Sequence, residues 1–129
     1  MTVDPAYHCK RLIAGVQLLA AEPAEQLASL ELPSDPTFDI MDAVDSPYSM
    51  LVESGALVCL GLSESARRDL ASIVSGAIEA ARESERSDEP YAKVLLSTGP
   101  WAHVRKQARK WLAQYGAMLQ CVADDLSNE

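Results

Sequence analysis

The sequence predicts an all-α fold: one domain over residues 1–129, a helical bundle of about five or six helices with several short proline-started helices in its first half. Three observations lead there. Hydrophobic residues make up 48% of the chain but aromatics only 5%, so Leu, Ala, Val and Ile must fill the core, a balance that suits helices better than sheets. Proline stands where a helix would have its first residue in Asp4-Pro5, Glu22-Pro23, Asp35-Pro36, Ser46-Pro47, Glu89-Pro90 and Gly99-Pro100. Four of those six prolines follow an acidic residue, which suits the positive end of a helix. In the longer segments the apolar residues recur every three or four positions, the helical period. A length of 129 residues is ordinary for one domain and short for two.

The first helix is expected over about Pro5 to Ala21, with Cys9, Leu12, Ile13, Val16, Leu19 and Ala20 on its core side. Pro23 to Leu30 reads as a kinked continuation or a separate short helix. Pro36 to Gly55 reads as two short helices, the first turning Phe38, Met41 and Val44 inward and the second marked by Met50, Leu51 and the Gly55 stop. The apolar run Ala56 to Leu62 favours helix or coil over strand, because no second convincing strand exists to pair with it. Ser63 caps a long helix to about Ser84, striped by Ala66, Leu70, Ile73, Val74, Ala77, Ile78 and Ala81. A charged loop from Ser84 to Glu89 follows. In the last helix Trp101, Val104, Ala108, Trp111, Tyr115, Met118 and Val122 alternate spacings of three and four without a slip, and Leu112, Leu119 and Leu126 widen the stripe.

Composition excludes several classes. The net charge of −8, from 19 acidic and 11 basic residues, argues against nucleic acid and against an anionic membrane surface, both of which reward clustered Lys and Arg. Lys10-Arg11 followed by Leu12 to Ala21 imitates a secretory signal, but Asp4 and Gln17 interrupt it. No apolar run reaches transmembrane length. Cys9, Cys59 and Cys121 are odd in number and contain no C-x-x-C pair, the pattern of free thiols in a reducing compartment. The expectation is a soluble cytoplasmic protein.

Catalytic signals are thin. Gly61-Leu62-Ser63-Glu64-Ser65 lacks the final Gly of a nucleophile elbow, and Ser63 is claimed by helix capping. His8 and His103 have no H-x-x-x-H or H-E-x-x-H partners, so zinc is not expected. Glu22-x-x-Glu25 and Asp42-x-x-Asp45 resemble the acidic pairs with which all-helical nucleotide pyrophosphohydrolases of the MazG type bind magnesium. That resemblance implies hard-cation chemistry between facing helices. The chain departs from the pattern where Asp42 replaces a Glu, where Pro23 interrupts the first pair, and where no Lys or Arg lies nearby to hold a phosphate. The expectation is a non-enzymatic protein with no cofactor and no metal.

Charge distribution carries the functional expectation. Between Arg11 and Arg67 there is no Lys or Arg, while Glu22, Glu25, Glu31, Asp35, Asp39, Asp42, Asp45, Glu53 and Glu64 supply nine carboxylates. Asp35, Asp39, Asp42 and Asp45 share nearly one helix side, where like charges repel by a few tenths of a kcal/mol per pair. Folding does not ask for that arrangement. It is read either as a solvated face or as a surface that docks a basic protein, with Phe38 and Met41 as apolar anchors and Glu53 at its far end. His103, Arg105, Lys106, Arg109 and Lys110 form a second, basic patch on the last helix. This patch pairs with the acidic half across the fold, docks a partner, or joins two copies in a homodimer. Size, charge and compartment together suggest an immunity protein or antitoxin that neutralises a basic toxin through the acidic 22–64 surface, with an adaptor or chaperone for a secreted effector as the alternative.

Overall fold

The computed structural model describes residues 4–30 and 35–128. Glu31, one of the nine carboxylates, lies outside the described residues. Asp4 opens helix α1 (Pro5–Ala20), its carboxylate accepting the Ala6 and Tyr7 amides at 3.1 and 3.4 Å. A short α2 (Pro23–Ala28) follows, then α3 (Pro36–Glu53), capped by the Asp35 carboxylate on the Phe38 amide. A 3₁₀ turn (Leu57–Leu60) leads into α4 (Glu64–Glu85), where the Ser63 hydroxyl takes the Ala66 amide at 3.0 Å. A single-turn α5 (Ala92–Leu95) precedes the last rod, made of α6 (Gly99–Trp111), a π-helical segment (Leu112–Gly116) and α7 (Ala117–Ser127). The described residues contain no strand.

Four long helices form a ring. α1 packs on α3 and on α6–α7, and α4 packs on α3 and α6, so α3 and α6 occupy opposite corners. Residue pairs give the directions. Arg11 meets Ser46, Cys9 meets Leu119, and Trp111 and Trp101 donate their indole N–H groups to the Ala66 carbonyl and the Ser84 hydroxyl, both at 2.9 Å. Neighbours are therefore antiparallel all round the ring. One end holds α2 and α5, which touch each other; the 3₁₀ turn closes the other. Leu12, Val16, Ile40, Val44, Leu51, Leu70, Trp101, Trp111 and Leu119 are fully buried in one core, and full burial is worth roughly 1.5–3 kcal/mol per large apolar side chain.

Three expectations about the elements are corrected. Pro36 to Gly55 holds one helix instead of two: Pro47 lies buried inside α3, its missing amide leaving the Ala43 carbonyl without an i+4 donor. Accordingly Pro5, Pro23 and Pro36 begin helices, Pro100 is second in α6, Pro90 lies two residues before α5, and Pro47 starts nothing. Phe38 faces solvent at 43% exposure and Met41 is half-buried, because the inward line of α3 runs through Thr37, Ile40, Val44, Pro47 and Leu51. Ser84 is buried inside α4 rather than opening a loop.

The last helix also differs from its stripe. The π segment admits one extra residue and rotates everything after it, so Leu119 and Ala123 enter the core while Met118 turns out to 37% exposure. Past Trp111 the rod has left the N-terminal end of α4 and lies along α1. With α4 gone and α1 alone beside it, the rod buries a different face, and the π segment supplies that rotation.

Burial divides the thiols. Cys9 is fully buried, with its Sγ 3.9 Å from the Leu119 carbonyl, and burial pushes its pKa up to about 11; Cys59 and Cys121 are exposed. A disulfide reagent at pH 8 is expected to titrate two thiols in the native protein and the third only after unfolding, since the thiolate is the reactive form. Three thiols reacting at one rate without denaturant would contradict this burial.

Candidate functional site

Opposite corners of the ring carry opposite charge. On α3 the buried line leaves Asp35, Phe38, Asp42, Asp45 and Glu53 on the outward side, with Asp39 at its edge. Helical steps of three, four and seven place Phe38 among Asp35, Asp42 and Asp45. Two of the carboxylates have local duties: Asp35 caps α3, and Asp45 accepts the Ser49 hydroxyl at 3.2 Å. Among the described residues, none of Asp35, Asp39, Asp42, Asp45 and Glu53 has a Lys or Arg within ion-pair distance; the ion pairs are Glu64–Arg68, Glu79–Arg82 and Glu22–Arg109. The structure thus sets Asp35, Asp39, Asp42 and Asp45 along the first half of α3 with Phe38 among them instead of in the core, and leaves Glu53 apart at the far end of the helix.

The basic patch divides. Arg105 is a buried structural residue, only 8% exposed. Its Nε donates to the Ala21 carbonyl at 2.8 Å, and its Nη2 donates to the Leu96 carbonyl at 2.9 Å and to Gln26 Oε1 at 3.4 Å. Arg109 donates from Nε to the Ala20 carbonyl and from Nη2 to Glu22 Oε1, both at 2.7 Å. The buried Gln26 amide reaches the Leu18 and Leu19 carbonyls at 3.0 and 3.4 Å. A helix leaves its last four carbonyls without partners, and α1 has no basic residue in its last turn. Two arginines of α6 and one glutamine of α2 supply donors from outside to the carbonyls of Leu18, Leu19, Ala20 and the capping Ala21, at the end where the helix dipole favours cations.

The electrostatics follow from this geometry. Desolvation lowers the Arg105 pKa, partly offset by the charge of Glu22, and the Arg109 hydrogen bond holds the Glu22 carboxyl below its usual range. The pairing of the basic helix with the acidic half is therefore real but limited to Arg109 and Glu22. His103, Lys106 and Lys110 remain exposed on the outward side of α6. That side points away from α3, so pairing the acidic helix of one copy with the basic helix of another is head-to-tail and does not close into a two-fold dimer.

Other constellations are sparse. Among the described residues no group of three or more His, Cys, Asp and Glu side chains could hold a metal ion, so Glu22, Glu25, Asp42 and Asp45 do not assemble into one site. His8 is buried with its ring edge-on to Tyr7, and its Nδ1 has no partner. A groove between α4 and α6, lined by Asp69, Ile73, Gln107, Lys110 and Trp111, holds about 170 Å³; another beside Gly116 holds about 290 Å³. The first falls well below the roughly 300–1,000 Å³ of pockets that enclose small ligands, and the second lies at the lower edge of that range. No described helix is long and apolar enough to cross a membrane.

Fold and face together define an antiparallel helical bundle with a charged, aromatic-centred outer helix. No family model matches the chain, and neither does any curated protein or solved structure.

Two features of the site escaped sequence reasoning. Arg105 sits four residues after Trp101 and three before Ala108, beside the apolar stripe; the signal that could have found it is the end of α1, where Ala20-Ala21-Glu22-Pro23 offers no cap of its own. The exposure of Phe38 depended on the phase of α3. That phase becomes visible once Pro36 to Glu53 is read as one helix carrying Ile40, Val44, Pro47 and Leu51 inward.

Proposed function

We propose that this protein is a non-enzymatic binding module that docks a basic protein partner on the outward face of α3. The observation that carries the reading is Phe38, a large aromatic at 43% exposure among carboxylates that have no basic partner among the described residues. Folding alone favours burying that ring and spacing those charges apart. An aromatic anchor surrounded by charge is what a protein interface uses: the ring supplies contact area and the charges steer association. Among binding modules, the small size, the net charge of −8 and the three unpaired thiols best suit a cytoplasmic immunity protein or antitoxin that neutralises a basic toxin; an adaptor or chaperone for a secreted effector fits the same surface.

Affinity capture from native extract is expected to recover one dominant basic partner. Asp39→Lys combined with Asp42→Lys should then slow association in a salt-sensitive way, because complementary charge acts mainly on the encounter rate. Both positions lie outside the buried line of α3, so the fold should survive, with a stability change of about 0.5 kcal/mol or less at each. Unchanged association by the folded double variant would reduce the acidic face to a solvated surface.

A further inference from the structure

The last rod carries its charges in order along its length. Lys106 and Lys110 stand in its first half, no residue from Trp111 to Ala123 is charged, and Asp124 and Asp125 follow. Steps of three and four residues draw one line down its outward side through Lys106, Lys110, Gln114, Met118, Cys121 and Asp125, and all six are exposed. The core side belongs to Val104, Ala108 and Trp111 before the π segment and to Leu119 and Ala123 after it, which leaves that line turned away from the core throughout. It begins basic, passes through an uncharged centre with Met118, and ends acidic. Flanking groups do not reverse this order. At the basic end Glu22 is taken by Arg109, while Asp69 of α4 shares a groove with Lys110 without reaching ion-pair distance. At the acidic end Cys9 meets Leu119, so the start of α1 lies alongside α7 and brings one carboxylate, Asp4, with one ammonium, Lys10.

From this succession we infer that the outward side of the rod is a contact between two copies of this chain, packed antiparallel about a two-fold axis that crosses the rods between Gln114 and Met118. Such an axis sends Lys106 and Lys110 of each copy to Asp125 and Asp124 of the other, twice over, and places both Met118 side chains in the uncharged middle. The spacing agrees: at about 1.5 Å per residue the axis lies about 15 Å from Lys106 and about 14 Å from Asp125. A parallel pair sets lysine on lysine and carboxylate on carboxylate. The antiparallel pair uses one patch on both copies, so it closes as a two-fold dimer, which a contact between α3 and α6 does not. Charge absent from the centre and present at the rim is also how protein interfaces are built. One helix from each copy makes a contact at the small end of the interface scale, and the dimer is therefore reversible. The inference does not rest on the docking face of α3: the outward side of α6 points away from it, so both acidic faces stay free in the dimer.

The test is sedimentation velocity on the full chain from micromolar to submillimolar concentration, with circular dichroism as the check on folding. Wild type is expected to pass from monomer to dimer across that range. Lys106→Glu with Lys110→Glu should weaken the dimer at least about tenfold, and so should Asp124→Lys with Asp125→Lys, since each pair puts like charges face to face. The second of these separates the contact from general repulsion: it lowers the net negative charge, so repulsion alone would make it dimerise better than wild type. All four substitutions in one chain restore opposite charges across the axis, and that chain should dimerise within a few-fold of wild type. An equimolar mixture of the two double variants supplies the same complementarity without combining the substitutions and should form a mixed dimer. The four positions are exposed, so the helical spectrum should be unchanged. A wild-type chain that stays monomeric at every concentration, a dimer indifferent to either charge reversal, or double variants that fail to pair when mixed would each overturn the proposal.

Discussion

Replacing Arg105 by Ala is expected to destabilise the protein by roughly 3–5 kcal/mol, a large share of the 5–15 kcal/mol that holds a typical domain folded. Three acceptors lose their donor at once: the carbonyls of Ala21 and Leu96 and the side-chain oxygen of Gln26. These groups belong to the end of α1, to α2 and to the strap after α5, so the loss loosens the whole end of the bundle. Arg105→Met separates packing from hydrogen bonding, because it keeps much of the apolar stem and removes the guanidinium. It should retain at least about 2 kcal/mol of the loss. Arg109→Ala breaks a bond to the Ala20 carbonyl and an exposed ion pair, and exposed pairs contribute little; its effect should be clearly smaller. Urea denaturation with an unchanged slope reports these differences as shifts of midpoint. Equal stability of Arg105→Met and wild type would remove Arg105 from its structural role and return it to the candidate surface patch.

The second large effect is expected at Gly15. An added Cβ would overlap the Ala43 carbonyl oxygen and stand 2.8 and 2.9 Å from the Ala43 carbonyl carbon and the Val44 Cα. All three are backbone atoms, so relief requires α1 and α3 to move apart. The overlapped carbonyl is the one that Pro47 leaves without its helical donor, which ties the two anomalies of this contact together: Gly15 lets the backbones approach where the proline has left the ladder open. Gly15→Ala gains about 1 kcal/mol of helix propensity, yet it should still lose about 2 kcal/mol net, because overpacking against backbone cannot relax by a rotamer change. Gly76→Ala is the control. Its Cβ would meet one side-chain methyl of Val104 at 3.0 Å and no backbone atom, so a shift of a few tenths of an ångström between α4 and α6 relieves the contact and the propensity gain offsets part of the cost. A Gly15→Ala variant as stable as Gly76→Ala would mean that α1 and α3 are not held in this close contact.

Helix existence and the charge pattern were local properties, and the sequence by itself determined them. Asp4-Pro5 and Asp35-Pro36 carry a cap and a first-turn residue side by side, Ser63 caps α4 in the structure as its position predicts, and the stripe from Ala66 to Ala81 needs no partner to be recognised. The succession of carboxylates from Glu22 to Glu64 is legible for the same reason. Tertiary structure alone decided which way marginal residues turn. Pro47 stays inside a helix because burial against neighbouring helices outweighs a missing hydrogen bond, and this choice of one helix over two puts Phe38 outside. The last stripe changes phase at Leu112–Gly116 because α4 is left behind there while α1, which flanks α6 and α7 alike, remains. Arg105 and Arg109 read as members of one basic patch, paired with the acidic half or docking a partner, until the end of α1 is placed beside them, 84 and 89 residues away in the chain. An orphaned carbonyl acts on whatever donor the fold delivers, and no local pattern states which donor that will be.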